Sequence, residues 1–164
     1  MAKPTLDLRI RPAVVDDVPT ILGLIRELAE YEKLEQELTV TEDLLRAYLF
    51  GPRPAAEALM ASVGGRDVGY AVYFTNYSTF SGRPGLFLED LYVQPHVRGR
   101  GVGKALLREV ARIALERDCN WVGWTVLDWN EPAIQFYKSL GAVPMSDWTM
   151  FRLGEDAIER FAKG

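Results

Sequence analysis

The sequence predicts a single α/β domain spanning residues 1–164, built as a mixed central β-sheet flanked by helices. Three observations predict it. Some segments repeat their apolar residues every second position and others every third or fourth, in alternation along the chain. Glycine, proline or capping residues punctuate the changes from one period to the other. No internal repeat, low-complexity tract or linker divides the sequence.

LDLRIRPA alternates at period two and reads as an opening strand. Asp16 and Asp17 then precede a helix whose apolar stripe is Ile21, Leu22, Leu24, Ile25 and Leu28, ending near Tyr31. An acidic segment follows, then a short second helix after Thr41, a residue suited to capping it. EALMASV at 57–63 and VGYAVYFT at 68–75 flank Gly64-Gly65-Arg66-Asp67 and predict a hairpin. The loop NYSTFSGRPG leads into LFLEDLYV, a strand over 86–93. A helix then carries Leu106, Leu107, Val110, Ala111 and Ala114 on one face. WVGWTVL reads as a strand, 132–140 as a helix, and 148–153 as a closing strand.

The chain is 48% hydrophobic and 26% charged, the balance of a globular domain large enough to bury a core. No apolar run is long enough to span a bilayer, and the opening MAKPTLDLRIRP lacks a secretory apolar core, so a cytoplasmic protein is expected. One cysteine, Cys119, excludes an internal disulfide and a cysteine metal cluster, and no metal site is expected. His96, the only histidine, sits in a loop between Pro95 and Val97 and reads as solvated. A net charge of −4 argues against a nucleic-acid partner and leans towards a cationic one.

The segment VRGRGVGKALLREVARIALERD, residues 97–118, opens on glycines and basic residues and then becomes helical. Its spacing fails the Walker pattern, which would need Gly at 98 and Ser or Thr at 105, where Arg98 and Ala105 stand. It fails the dinucleotide fingerprint because Lys104 occupies the third glycine position. What remains is Arg98-x-x-Gly101-x-Gly103 at a strand-to-helix junction, where unpaired N–H groups and the positive helix end can hold a pyrophosphate. Alone, the segment also reads as a glycine-rich turn with solvated arginines. A second junction, TVLDWNEPAIQFYKSLGA, places Asn130 and Pro132 at a helix start and Phe136 and Tyr137 within it. Those two aromatics alone read as core residues.

Together the two segments resemble the GNAT superfamily of N-acetyltransferases. Arg98-Gly99-Arg100-Gly101-Val102-Gly103, with Lys104 behind it, is similar to that superfamily's pyrophosphate loop for acetyl-CoA. Asn130-Glu131-Pro132-Ala133 and Phe136-Tyr137-Lys138, closed by Leu140-Gly141-Ala142, are similar to its second cofactor motif. IRPA at 10–13, LIRELAEYE at 24–32, YSTFSGRPGLFLEDLYV at 77–93 and VLDWNEPAIQFYKSLGA at 126–142 resemble the diamine acetyltransferase branch. That branch holds spermidine/spermine acetyltransferases and thialysine-acetylating relatives, and the YST-x-x-GR and VLDWN runs lean towards the latter. Val97 departs from it, since relatives often carry an aromatic residue before Arg-Gly.

The resemblance implies a GNAT fold, acetyl-CoA as cosubstrate, a small amine as acceptor and a homodimer. It also implies roles. The cofactor would meet Leu91, Tyr92 and Val93 on the strand, the 98–104 loop, and Asn130, Pro132 and Tyr137. Attack requires a neutral amine, yet with a pKa of about 10.4 only about one lysine-like amine in 2,500 is neutral at pH 7, a cost of about 5 kcal/mol. A carboxylate can take that proton directly or through water. Glu89 is the candidate, against the plainer reading of a solvated strand carboxylate. Glu89 and Asp90 should point to opposite faces of an extended strand, and Asp90 could contact substrate around a strand distortion. Tyr137, a phenol protonated at neutral pH, resembles the family's general acid for the departing sulfur.

Tyr31 and Glu32 match the position from which the branch reaches its cationic substrate. Trp148 resembles an aromatic of the same pocket, where a cation could lie against the ring, or is an ordinary core tryptophan. A non-catalytic module that binds acetyl-CoA would need the pyrophosphate turn but neither Glu89 nor Tyr137.

Overall fold

The computed structural model describes residues 6–164. The chain divides after Thr125 into two compact units. In the first, β1 (Leu8–Pro12), β2 (Glu57–Val63), β3 (Arg66–Ser78), β4 (Arg83–Val93) and β5 (Val122–Trp124) form one sheet in that order. The first four strands are antiparallel to their neighbours, and β5 runs parallel to β4. Helices α1 (Val18–Glu32) and α2 (Glu42–Phe50) connect β1 to β2. Helix α3 (Val102–Glu116) is the crossover that a parallel pair requires. The mixed sheet flanked by helices is the architecture the sequence predicts, with five strands among the described residues in place of the six expected.

Alternation along the strands explains the two-sided core. Ala58, Met60, Tyr70, Val72 and Tyr92 pack with Val18, Ile21, Leu22 and Leu24 of α1 and Leu45 of α2. The intervening residues Leu59, Ala61, Ala71 and Tyr73 are buried on the opposite face. Helix α3 lies along β1 to β5 and turns Val102, Leu106, Leu107, Val110, Ile113 and Ala114 inward. The entry to α1 is pinned by Asp17. Its carboxylate accepts the Val14 N–H at 2.7 Å and both Arg11 Nη groups at 2.6 and 2.8 Å. The Arg11 hydrogen bonds hold this carboxyl below the usual aspartate range. Thr41 caps α2 as expected, its hydroxyl accepting the Leu44 N–H at 3.2 Å.

Strand β5 is shorter than the sequence suggests, because its pairing with β4 covers only Leu86, Phe87 and Leu88. Beside it the Trp121 ring lies over Gly85, where an added Cβ would fall 2.0 Å from the indole. Gly85→Ala is therefore expected to lower stability by about 1–3 kcal/mol through overpacking. The urea midpoint reads this, and an unshifted midpoint would show that the indole has room to move.

The second unit holds α4 (Glu131–Ser139) and α5 (Glu155–Lys163). The closing strand expected over 148–153 is absent. Trp148, Met150, Phe151 and Leu153 supply apolar residues for one, but a strand needs a neighbour to complete its hydrogen bonds, and this unit has none among the described residues. Helix α5 was not expected. Its signals are Glu155 and Asp156 in the first turn and Arg160 and Lys163 in the last, complementing the helix dipole.

Candidate active site

A single extra residue shapes β4. Val72 pairs with Asp90 and the next residue, Tyr73, pairs with Leu88, so Glu89 is a β-bulge with no opposite number. By simple alternation Leu88 and Asp90 would share a face. The bulge sets them on opposite ones: Leu88 joins Tyr73, and Asp90 joins Val72, Tyr70 and Tyr92 on the α1 side. Glu89 itself is exposed. The bulge also coincides with the end of β5 pairing, so from Glu89 to Val93 the outer edge of β4 carries no strand among the described residues. Leu91, Tyr92 and Val93, the strand residues expected to meet the cofactor, lie on that stretch.

The chain leaves β4 through a short turn over Pro95–Val97 and enters α3 through the glycine-rich loop. Gly99 and Gly101 have φ of 73° and 88°, the left-handed region that favours glycine, and the space where their side chains would stand is open. Gly101 precedes the helix and offers no capping side chain. Helix geometry leaves the N–H groups of Val102, Gly103 and Lys104 without intrahelical acceptors, and the first intrahelical bond is Ala105 N–H to Gly101 C=O at 2.9 Å. Open space over bare amides at a positive helix end suits a diphosphate.

Arg98 differs from the simple picture of a free cation at this loop. Its Nε donates to the Val93 carbonyl at 2.7 Å, and its guanidinium lies 4.7 Å from the Tyr31 ring centre and 5.4 Å from that of Tyr92. The arginine thus ties the loop to β4 and to the last turn of α1. Glu27 strengthens the same corner, accepting from Tyr92 Oη at 3.1 Å and from Gln94 Nε2 at 2.9 Å.

The last turn of α1 presents Tyr31 and Glu32, and Lys33 ends the helix in the left-handed conformation, with φ of 60°. Glu32 is half-buried, and its carboxyl is raised above the usual range by burial and then by Asp90. Asp90 is raised too, chiefly by burial, while a hydrogen bond from Tyr70 Oη at 2.8 Å opposes the rise. Both carboxyls therefore bind a proton more tightly in the folded chain than in the unfolded one. Ionising them works against folding as pH rises above the ordinary carboxylate range. A cation placed beside them would offset that effect. Sequence reading missed Tyr70, because a tyrosine among the alternating apolar residues of VGYAVYFT carries no mark of its polar partner.

Within the second unit, Asn130 Oδ1 accepts the Ala133 N–H at 3.4 Å and caps α4, with Pro132 in the first turn, where its missing N–H costs nothing. Tyr137 lies on the same helix, its ring centre 5.3 Å from that of Phe136. Trp148 is 72% exposed and belongs to no helix or strand.

A motif-bearing loop at an uncapped helix, a bulged strand and a paired carboxylate site point to one family. The acetyltransferase (GNAT) family model matches residues 22–142. The chain belongs to the GNAT acetyltransferase family. Members of this family use acetyl-CoA as acetyl donor, and this GNAT chain is an N-acetyltransferase of the diamine acetyltransferase branch. It is 41% identical over 164 residues to the thialysine N-epsilon-acetyltransferase of Bos taurus, covering 93% of this chain and 96% of that one. It is 35% identical to the spermidine/spermine N(1)-acetyltransferase-like protein 1 of Homo sapiens, covering 96% of this chain and 24% of that longer protein. Among solved structures, an integron cassette protein from the mobile metagenome of V. cholerae superposes with a TM-score of 0.80 at 24% identity. That match covers 96% of this GNAT chain and 99% of the other, and shows the fold alone.

Proposed function

We propose that this GNAT enzyme transfers the acetyl group of acetyl-CoA to the primary amine of a small cationic substrate, a lysine-like amino acid such as thialysine or a polyamine. The supporting observation is the carboxylate pair, Glu32 and Asp90, gathered at the end of α1 beside the bulged stretch of β4. The similarity to thialysine and spermidine/spermine acetyltransferases favours the same substrate class.

Acetyl-CoA supplies the acyl group as a thioester. The 98–104 loop would hold its diphosphate, with Leu91, Tyr92, Val93, Asn130 and Pro132 serving the rest of the cofactor. Tyr31, Glu32 and Asp90 receive the cationic substrate, and Trp148 offers an aromatic face to it. Glu89 takes a proton from the substrate ammonium, directly or through water, and the neutral amine so formed attacks the thioester carbonyl. A main-chain N–H near Leu91 or Tyr92 stabilises the oxyanion. Tyr137 gives its phenolic proton to the departing sulfur. The protein acts as a cytoplasmic homodimer with 1–164 as one catalytic domain, and light scattering at working concentration checks the dimer mass.

The deciding experiment incubates the purified protein with acetyl-CoA and a panel of diamines, polyamines and lysine-like amino acids. Free thiol release reports turnover, and mass spectrometry identifies the acetylated nitrogen. Acetyl-CoA binding without thiol release for any amine would replace this reading with that of a non-catalytic acetyl-CoA-binding module. Glu32→Gln is expected to raise the KM of a diamine about tenfold with kcat changed less, as loss of uniform binding does. Equal KM values for the two proteins would remove Glu32 from the amine site.

A further inference from the structure

Tyr70 lies in the middle of β3 with no exposed surface, embedded among Val18, Ile21, Leu24, Val72 and Tyr92. A core position of this kind ordinarily takes Phe, since a buried hydroxyl needs a partner. Here the partner is Asp90 Oδ2 at 2.8 Å. The register explains the meeting. Tyr70 pairs with Tyr92 and Val72 with Asp90, so Tyr70 and Asp90 are diagonal neighbours on one face. Were Glu89 paired in regular register instead of bulged, alternation from Leu88 would carry Asp90 to the α3 side.

Resting on the amine-acetylating reading above, we propose that Tyr70 is a positioning residue that fixes Asp90 in one rotamer as a carboxylate, making Glu32 and Asp90 a paired receptor for the cationic part of the substrate. Two half-buried carboxyls close together tend to share one proton, which halves the charge they can offer. A phenol that donates to one of them favours its ionised form at no cost in solvent exposure. The titratable and charged groups around Asp90 are Tyr70 from β3, Glu89 and Tyr92 from β4, and Glu32 from α1. None of these is a cation. The Tyr70 hydroxyl is the donor that favours the ionised form of Asp90 against the effect of burial.

The test is Tyr70→Phe, which keeps the ring and removes the donor. Measured over a pH series, the KM of a diamine is expected to rise about tenfold at the acidic end, the effect of losing a hydrogen bond to a charged group. The increase is expected to shrink towards about twofold as pH rises and Asp90 becomes ionised in both proteins. The KM of acetyl-CoA and the kcat at saturating amine should stay within about twofold of wild type. A purely structural loss would move all of these together and at every pH. A diamine KM that is unchanged, or raised equally across the pH series, overturns the proposal.

A measurement without turnover separates this from the enzymatic reading. Carbon-13 NMR of labelled aspartate should show the Asp90 carboxyl titrating at higher pH in Tyr70→Phe than in wild type, whether or not any amine is acetylated. Identical titration curves overturn it. Should the variant fail to fold, the unmodified chain still decides. The Tyr70 Cζ resonance is expected to move as Asp90 titrates, and a flat trace rejects the coupling.

Discussion

Tyr137→Phe is expected to lower kcat on the order of 100-fold, the scale on which a positioned general acid contributes. Acetyl-CoA affinity should change little, because the ring and its contact with Phe136 remain. The sulfur of a thioester leaves as a thiolate, which competes well for return to the carbonyl until it is protonated. Removing the proton donor therefore slows the collapse of the tetrahedral species rather than the binding steps. Single-turnover kinetics, with enzyme in excess over acetyl-CoA, isolate this step from product release. Turnover equal to wild type under those conditions would remove Tyr137 from the mechanism.

The second large effect is expected at Gly101. Its φ of 88° lies where a β-branched side chain is strained, and it sets the direction in which the first N–H groups of α3 point. Gly101→Val would cost about 1–3 kcal/mol of backbone strain or force the loop to rearrange. Either outcome turns amides away from the diphosphate. Acetyl-CoA affinity measured by calorimetry should fall about 10-fold to 100-fold, the loss of one or two hydrogen bonds to a charged group. The open space over Gly101 is what makes the prediction pointed, because no collision inside the protein would account for the loss. Undiminished affinity would place the diphosphate elsewhere.

Local periodicity made most of the first unit legible. Strands β1 to β4 and helices α1 to α3 sit close to where alternation, caps and glycines put them, because each of those signals is carried by neighbouring residues. The length of β5 was not legible, since it depends on how far β4 accompanies it. For the same reason residues 148–153 looked like a strand: apolar and aromatic residues favour one but cannot supply the edge it needs. Helix α5 did carry readable signals, in the charges at its two ends.

In the candidate site, the glycine loop and the acidic end of α1 announced themselves in sequence. The reading of Asp90 as a residue at a strand distortion anticipated the bulge, but its position required the register of β3 against β4. Tyr70 could be recognised only once that register was known. Arg98 showed the converse. Its place in the motif was plain, yet its engagement with Val93, Tyr31 and Tyr92 came from three elements distant in sequence.

Glu89 occupies no place in the ladder: with it removed, Leu88 and Asp90 would be consecutive and still face Tyr73 and Val72. The carboxylate is thus supernumerary, held by the sheet without surrendering any position that binds the sheet together. Natural variation at this point can add, drop or exchange the acid while the scaffold's own reading frame stays whole, which frees the chemistry of this strand to drift independently of its architecture.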